Sequence, residues 1–265
     1  IIIVSKTKGI ILAGGSATRL RPITSVITKQ LLPIYDKPMI YYPLSTLMLA
    51  KIKDIAIICS NEYKSMFEKL LGDGSQWGLS IKYLIQKKPE GIGQAYIIAE
   101  NFIKNYNSLM ILGDNFLYGD GLTSILESTI KKNTPTIFGY EVKNPSQYGV
   151  ITFKKNKIHK IIEKPKNPNS NYAITGLYYL DSSAINIAKK IKKSKRGEYE
   201  IVDILNIYLK KNNLNLKLLG RGFNWLDTGT VDSLIDASNF VKSIQSRQGN
   251  IVGSPEEISL NNNWI

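Results

Sequence analysis

A short apolar run that ends in glycines, hydroxyls and an arginine, GIILAGGSATRL at Gly9–Leu20, carries the parts of a polyphosphate site. Glycine lets the backbone approach a phosphate and present its N–H groups, and a guanidinium can hold two phosphate oxygens at once. Two aspartates follow other apolar runs, Asp114 in LGDN and Asp227 in NWLDTGT. Carboxylate oxygens are hard donors suited to Mg²⁺, which keeps several waters when bound. Either aspartate alone reads as a turn residue or helix cap; beside a phosphate loop the two read as a metal pair. General-base machinery is thin. His159, the single histidine, lies in a lysine-rich strand pattern and reads as a surface residue. A phosphate monoester, with a second pKa of about 6, is already an anionic nucleophile near neutral pH. Chemistry between two phosphates asks for positioning, a metal and positive charge rather than a base. The Walker pattern is absent, and GIGQAY at Gly91 misses the GxGxxG pattern at its last position.

A sheet must position these residues. Ile10–Ala13 is too uniformly apolar to face water and reads as a central strand covered on both sides. Strands are expected at Gly9–Ala13, Asp54–Ser60, Ile81–Gln86, Leu109–Leu112 and Thr136–Val142, with helical patterns between them. That alternation predicts an α/β fold with a Rossmann-like, mostly parallel sheet, whose ligands bind beyond the strands' carboxyl ends. Met39–Ala50 is apolar nearly all round and reads as a buried helix, with a second subunit among its candidate covers. Past about Tyr140, alternation around Lys155-Asn156 and the run NYAITGLYYL predict a hairpin and a further strand of a smaller, mixed lobe. Ile201, Ile204, Leu205 and Tyr208 recur at helical spacing, with acids ahead and lysines behind. Another helix is expected after Thr230 as its cap, with Val231, Leu234 and Ile235 on one face. The expected divisions are 1–140, 141–230 and 231–265, within one domain overall.

The chain has 265 residues and is 43% hydrophobic, enough for a large core. No apolar run reaches the ~18 residues of a membrane span, and IIIV at Ile1–Val4 is shorter than the ~7-residue core of a secretory signal, so a cytoplasmic protein is expected. Cys59, the single cysteine, excludes an internal disulfide and reads as core. The formal charge of +14 is spread over scattered lysine pairs rather than a stripe interleaved with aromatics, which argues against nucleic acid and membranes as partners. A positive field still helps to collect phosphorylated substrates.

Several blocks, in order along nearly the whole chain, carry a resemblance: ILAGGSATRLRPIT, TKQLLPIYDKPMIYYPLSTLMLA, LLGDGSQWGL, LGDN, YGV, EKP, NYAITGLYYLD and GRGFNWLDTGT. Together they resemble the glucose-1-phosphate thymidylyltransferases, a family of sugar nucleotidylyltransferases. The resemblance implies a nucleotide-binding lobe at 1–140, a sugar-phosphate-binding lobe at 141–230 and a C-terminal helical extension at 231–265. It implies that dTTP binds first and glucose 1-phosphate second, and that dTDP-glucose and pyrophosphate are formed, for deoxysugar synthesis such as that of dTDP-rhamnose. By position, Gly14, Gly15, Ser16 and Thr18 would cradle the nucleotide phosphates, and Arg19 and Lys29 would neutralise the triphosphate. Asp114 and Asp227 would hold Mg²⁺, while Gln86 and the Gly91 backbone would read the thymine edge. Lys164 would grip the sugar phosphate, with Gly149, Glu163, Ile174 and Tyr178 lining the sugar site. A homotetramer is implied as well. Ala17 stands where the family usually has glycine, Ile92-Gly93 replaces Leu-Ala, and Asp120 stands where relatives often carry histidine. Competing readings are the same chemistry with UTP, and a catalytically silent sugar-nucleotide sensor.

Overall fold

A computed structural model describes residues 7–15 and 17–265; Ile1–Val4 and Ser16 lie outside the described residues. The elements, in chain order, are β1 Thr7–Leu12, β2 Pro33–Ile34, β3 Lys37–Pro38, α1 Tyr41–Leu49, β4 Asp54–Cys59, α2 Lys64–Leu71, β5 Ser80–Ile85, α3 Gln94–Ile98, α4 Glu100–Ile103, β6 Asn107–Leu112, β7 Phe116–Gly119 and α5 Leu122–Lys132. They continue as β8 Thr136–Glu141, β9 Gly149–Lys154, β10 Lys157–Glu163, β11 Tyr172–Leu180, α6 Ser183–Ala188, α7 Ile201–Lys210, β12 Asn215–Leu219, β13 Phe223–Leu226, α8 Val231–Gln248 and α9 Pro255–Asn261.

The parallel strands run in the order β5-β4-β1-β6. The chain moves outward from β1 through β4 to β5, then returns to place β6 on the other side of β1. Strand order therefore reverses between β1 and β6, and a crevice opens there beyond their carboxyl ends. Leu12 lies opposite Leu112 in the register, so the loops that follow the two strands leave side by side. Past residue 140 the same sheet continues. β11 pairs antiparallel with β6, β8 and β9, β10 closes one edge against β9, and β12 adds to β8 in parallel.

Side chains of the parallel strands alternate between two cores. Ile11, Ile57 and Cys59 pack with Leu44, Leu47 and Met48 of α1, whereas Ile10, Ala56 and Ile58 pack with Tyr96, Leu205 and Tyr208 on the opposite face. Both faces being covered explains why these strands read as continuous apolar runs. The hairpin turn falls on Lys155-Asn156, both at positive φ (50° and 59°), as a two-residue turn matched to strand twist requires. His159 is exposed on β10. Thr230 caps α8 in a reciprocal box with Ser233. Of the three residues read on one face of α8, Leu234 packs into the core while Val231 and Ile235 are 43% and 53% exposed, and Ala237 and Val241 are fully buried against Tyr42 and Phe116. The buried stripe runs through Leu234, Ala237, Val241 and Ile244, rotated from the apolar residues at the helix start. No helix among the described residues is long and apolar enough to cross a membrane.

Candidate active site

The loop after β1 and the loop after β6 meet at the switch point, and a cavity opens on either side of them. The first, of about 440 Å³, is lined by Gly14, Gly15, Ala17, Arg21, Thr28 and Gln86, among others. Gln86 is 3% exposed and lies flush against Gly14, where any Cβ would collide with its Oε1. Its Nε2 donates to Gln94 Oε1 at 2.7 Å, an atom that also accepts from the Glu90 N–H at 3.1 Å. Gln86 Oε1 itself is buried and accepts no hydrogen bond among the described residues. An acceptor left over in a cavity wall suits a ring N–H, the hydrogen-bonding pattern of a thymine or uracil edge.

The second cavity, of about 600 Å³, gathers Arg19, Asp114, Gly149, Glu163, Lys164, Ile174, Tyr178 and Asp227 into one wall system, together with Asn115, Tyr148 and Trp225. Lys29 is ion-paired with Asp114 Oδ2 at its edge. Arg19 reaches across to the Asp227 loop, since a Cβ on Gly229 would stand 3.0 Å from Arg19 Nη2. Burial and the facing Asp227 carboxylate push the Tyr148 phenol up to about 12, against the opposing pull of Arg19. Burial and then Glu200 raise Glu163, while Lys164 and Arg196 pull it back down. Gly149 lies close against Ile174 in the cavity wall, where a Cβ would stand 2.7 Å from Ile174 Cδ1.

Residues 8–244 match the model of the nucleotidyl transferase family. The chain belongs to that family. A relative from Xanthomonas campestris named glucose-1-phosphate thymidylyltransferase is 51% identical over 98% of this chain and 89% of its own length. One of the same name from Neisseria meningitidis is 50% identical over 97% of this chain and 90% of its own length. Among solved structures, a Bacillus anthracis protein provisionally named a glucose-1-phosphate thymidylyltransferase, with sucrose bound, aligns with a TM-score of 0.84 at 39% identity, over 95% of this chain and 99% of its own. A UDP-glucose pyrophosphorylase bound to UDP-glucose aligns with a TM-score of 0.78 at 28% identity, over 89% of this chain and 98% of its own.

In this nucleotidyl transferase the structure separates the sequence-predicted residues. Gly14, Gly15 and Gln86 fall in the first cavity and eight others in the second. Thr18 starts a 3₁₀ turn and lines neither; Gly91, at φ +99°, packs against the Tyr199 backbone and lines neither. Sequence reasoning missed the fixing residues. Asn115 directly follows Asp114, but its partners are distant in sequence. Arg196, in a loop after α6, bonds Glu163 at 3.2 Å and Glu198 at 2.9 Å, beside the second cavity. Thr228 is fully buried, donates to the Asp114 carbonyl at 2.7 Å and holds φ +24°. A β-branched residue there costs of order 1–3 kcal/mol, which the surrounding bonds must offset.

Ala17 sits at φ 42°, ψ 39°, its carbonyl accepting from Thr24 Oγ1 at 2.9 Å and from the Leu20 N–H at 3.0 Å. The left-handed conformation costs a residue with a Cβ roughly 1–2 kcal/mol, which outweighs the ~0.5–1 kcal/mol that glycine loses to unfolded-chain entropy. Ala17→Gly is therefore expected to stabilise the protein by about 0.5–1 kcal/mol, read as a higher urea midpoint at unchanged slope. A lower midpoint would mean that the loop imposes no such strain.

Proposed function

We propose that this chain transfers a thymidylyl group from dTTP to α-D-glucose 1-phosphate, giving dTDP-glucose and pyrophosphate. One observation supports it above the rest: Arg19, Asp114, Lys164 and Asp227 converge on one cavity at the sheet's switch point, and next to it lies a second cavity, edged by a glutamine acceptor with no partner among the described residues. The two curated relatives above that are named for this reaction are 50–51% identical over nearly the whole chain, against 28% for the UDP-glucose enzyme.

In this reading the nucleoside lies against Gln86 with its phosphates along the Gly14–Arg19 loop, including Ser16 and Thr18. Glucose 1-phosphate lies in the second cavity along Gly149, Glu163, Ile174 and Tyr178, its phosphate gripped by the Lys164 ammonium. A phosphate oxygen attacks the α-phosphorus in line, the bond to the bridging oxygen breaks, and the electron pair leaves with pyrophosphate. The nucleophile enters as an anion, so the absence of a placed general base costs nothing. Arg19 and Lys29 neutralise the charge that gathers on the triphosphate and on the leaving group. Asp114 and Asp227 supply hard oxygen donors to one cavity, a donor set that fits Mg²⁺. When bound, Mg²⁺ would act as a Lewis acid on the phosphoryl oxygens.

We further propose that the enzyme works in the cytoplasm as a homotetramer and feeds deoxysugar synthesis for cell-surface polysaccharide. Phosphorus NMR of protein, dTTP, glucose 1-phosphate and Mg²⁺ is expected to show the paired resonances of a nucleoside-diphosphate sugar growing in step with pyrophosphate. Bound dTTP with no product after prolonged incubation would favour a silent sensor instead.

A further inference from the structure

One buried amide links the Asp114 carboxylate to the segment that carries Asp227. Asn115 is 3% exposed. Its Oδ1 accepts from the Gly176 N–H at 3.0 Å and from Trp225 Nε1–H at 2.6 Å, while its Nδ2 donates to Asp114 Oδ1 at 3.0 Å. The first two partners can only donate and a carboxylate only accept, so the amide has one allowed polarity. The surroundings leave room for nothing else. Gly176 lies where β11 shifts register between Ile174 and Tyr178, and a Cβ there would stand 2.5 Å from Asn115 Oδ1. From the other direction Thr228 Oγ1 donates to the Asp114 carbonyl at 2.7 Å. Trp225 and Thr228 bracket Asp227 in the chain. Two hydrogen bonds therefore tie the Asp114-Asn115 pair to both flanks of Asp227, which holds together the two chain segments that carry the carboxylates.

We infer that Asn115 is the positioning residue that sets the spacing and aim of the Asp114–Asp227 pair for a divalent cation, with the Trp225 indole as its second anchor. The inference rests on the proposed reading of these aspartates as a metal pair. Asn115 acts through Asp114, and loss of such outer partners typically costs 10–100-fold in metal affinity or activity.

The test uses ¹⁵N-labelled protein saturated with dTTP, without glucose 1-phosphate, titrated with Mg²⁺. The Trp225 indole N–H resonance, assigned from its loss in Trp225→Phe, is expected to move with Mg²⁺ in the wild type. In Asn115→Ala, dTTP affinity measured in chelator should stay within about twofold, the half-saturating Mg²⁺ concentration should rise at least ~tenfold, and the Trp225 resonance should stop responding. A half-saturating Mg²⁺ concentration unchanged from wild type would overturn the inference, whatever happens to the melting temperature. If Asn115→Ala does not fold, calorimetric Mg²⁺ titration of the dTTP complex of Trp225→Phe decides: a rise of ~threefold or more supports the inference, and no rise overturns it. A wild-type Trp225 resonance indifferent to Mg²⁺ also overturns it, and the proposed function stands if product formation nonetheless requires Mg²⁺. A wild type that binds neither dTTP nor Mg²⁺ would overturn both.

Discussion

Asp227→Asn is expected to lower turnover at least ~100-fold, a loss of about 2.7 kcal/mol of transition-state stabilisation. Asn keeps the shape and one acceptor oxygen but removes the charge that a hard divalent cation requires. The side chain shares a cavity with Asp114 and faces Tyr148, and no salt bridge within 4.0 Å is found for Asp227 among the described residues, so the substitution breaks no ion pair there. The fold should therefore survive it. The rate is best followed across a Mg²⁺ titration at saturating substrates, with dTTP binding in chelator as the control. A rate equal to wild type would remove Asp227 from the metal pair.

Lys164→Ala should act on the other substrate. Lys164 stands at the rim of the second cavity with its side chain 47% exposed, and its one ion-pair contact among the described residues, to Glu163 Oε1, is loose at 3.9 Å. An ammonium so weakly held is available to an incoming phosphate. The backbone is fixed more firmly: φ is +40°, and the N–H donates to the Tyr148 carbonyl at 2.9 Å. We expect kcat/KM for glucose 1-phosphate to fall roughly 10–100-fold, about 1.4–2.7 kcal/mol, with dTTP affinity unmoved. Steady-state kinetics with each substrate varied in turn separates the two effects. A loss confined to dTTP would show that the two phosphate sites have been exchanged.

The fold was legible where burial is two-sided or turn chemistry is local. β1, β4 and β6 carry apolar residues on both faces because helices cover both, and the hairpin at Lys155-Asn156 needs only two residues able to take positive φ. α7 carries its acids, apolar stripe and lysines within one stretch. What escaped depends on distant partners. The β7–β13 ladder pairs residues more than 100 positions apart, so neither strand announces itself. α8 begins with apolar residues that stay exposed and is buried through Ala237 and Val241, a stripe fixed by Tyr42 and Phe116 rather than by its own pattern.

The site divides in the same way. Arg19, Asp114, Lys164 and Asp227 could be picked out because each ends or follows a strand, where open sheets present their ligands. Asn115 could not, since its bonds reach Gly176 and Trp225, 61 and 110 residues away. Trp225 is buried, and its indole N–H fixes Asn115. Ala17, standing where the family usually has glycine, holds a left-handed backbone, whereas Gly91 lies against Tyr199 and not in either cavity wall.

The most direct test of the central claim is pyrophosphate release by the purified protein with Mg²⁺, comparing dTTP with UTP, each with and without glucose 1-phosphate. Release that requires the sugar phosphate and is faster with dTTP is the predicted result. Release that prefers UTP, or none from any pair in a folded protein that still binds dTTP, would contradict it.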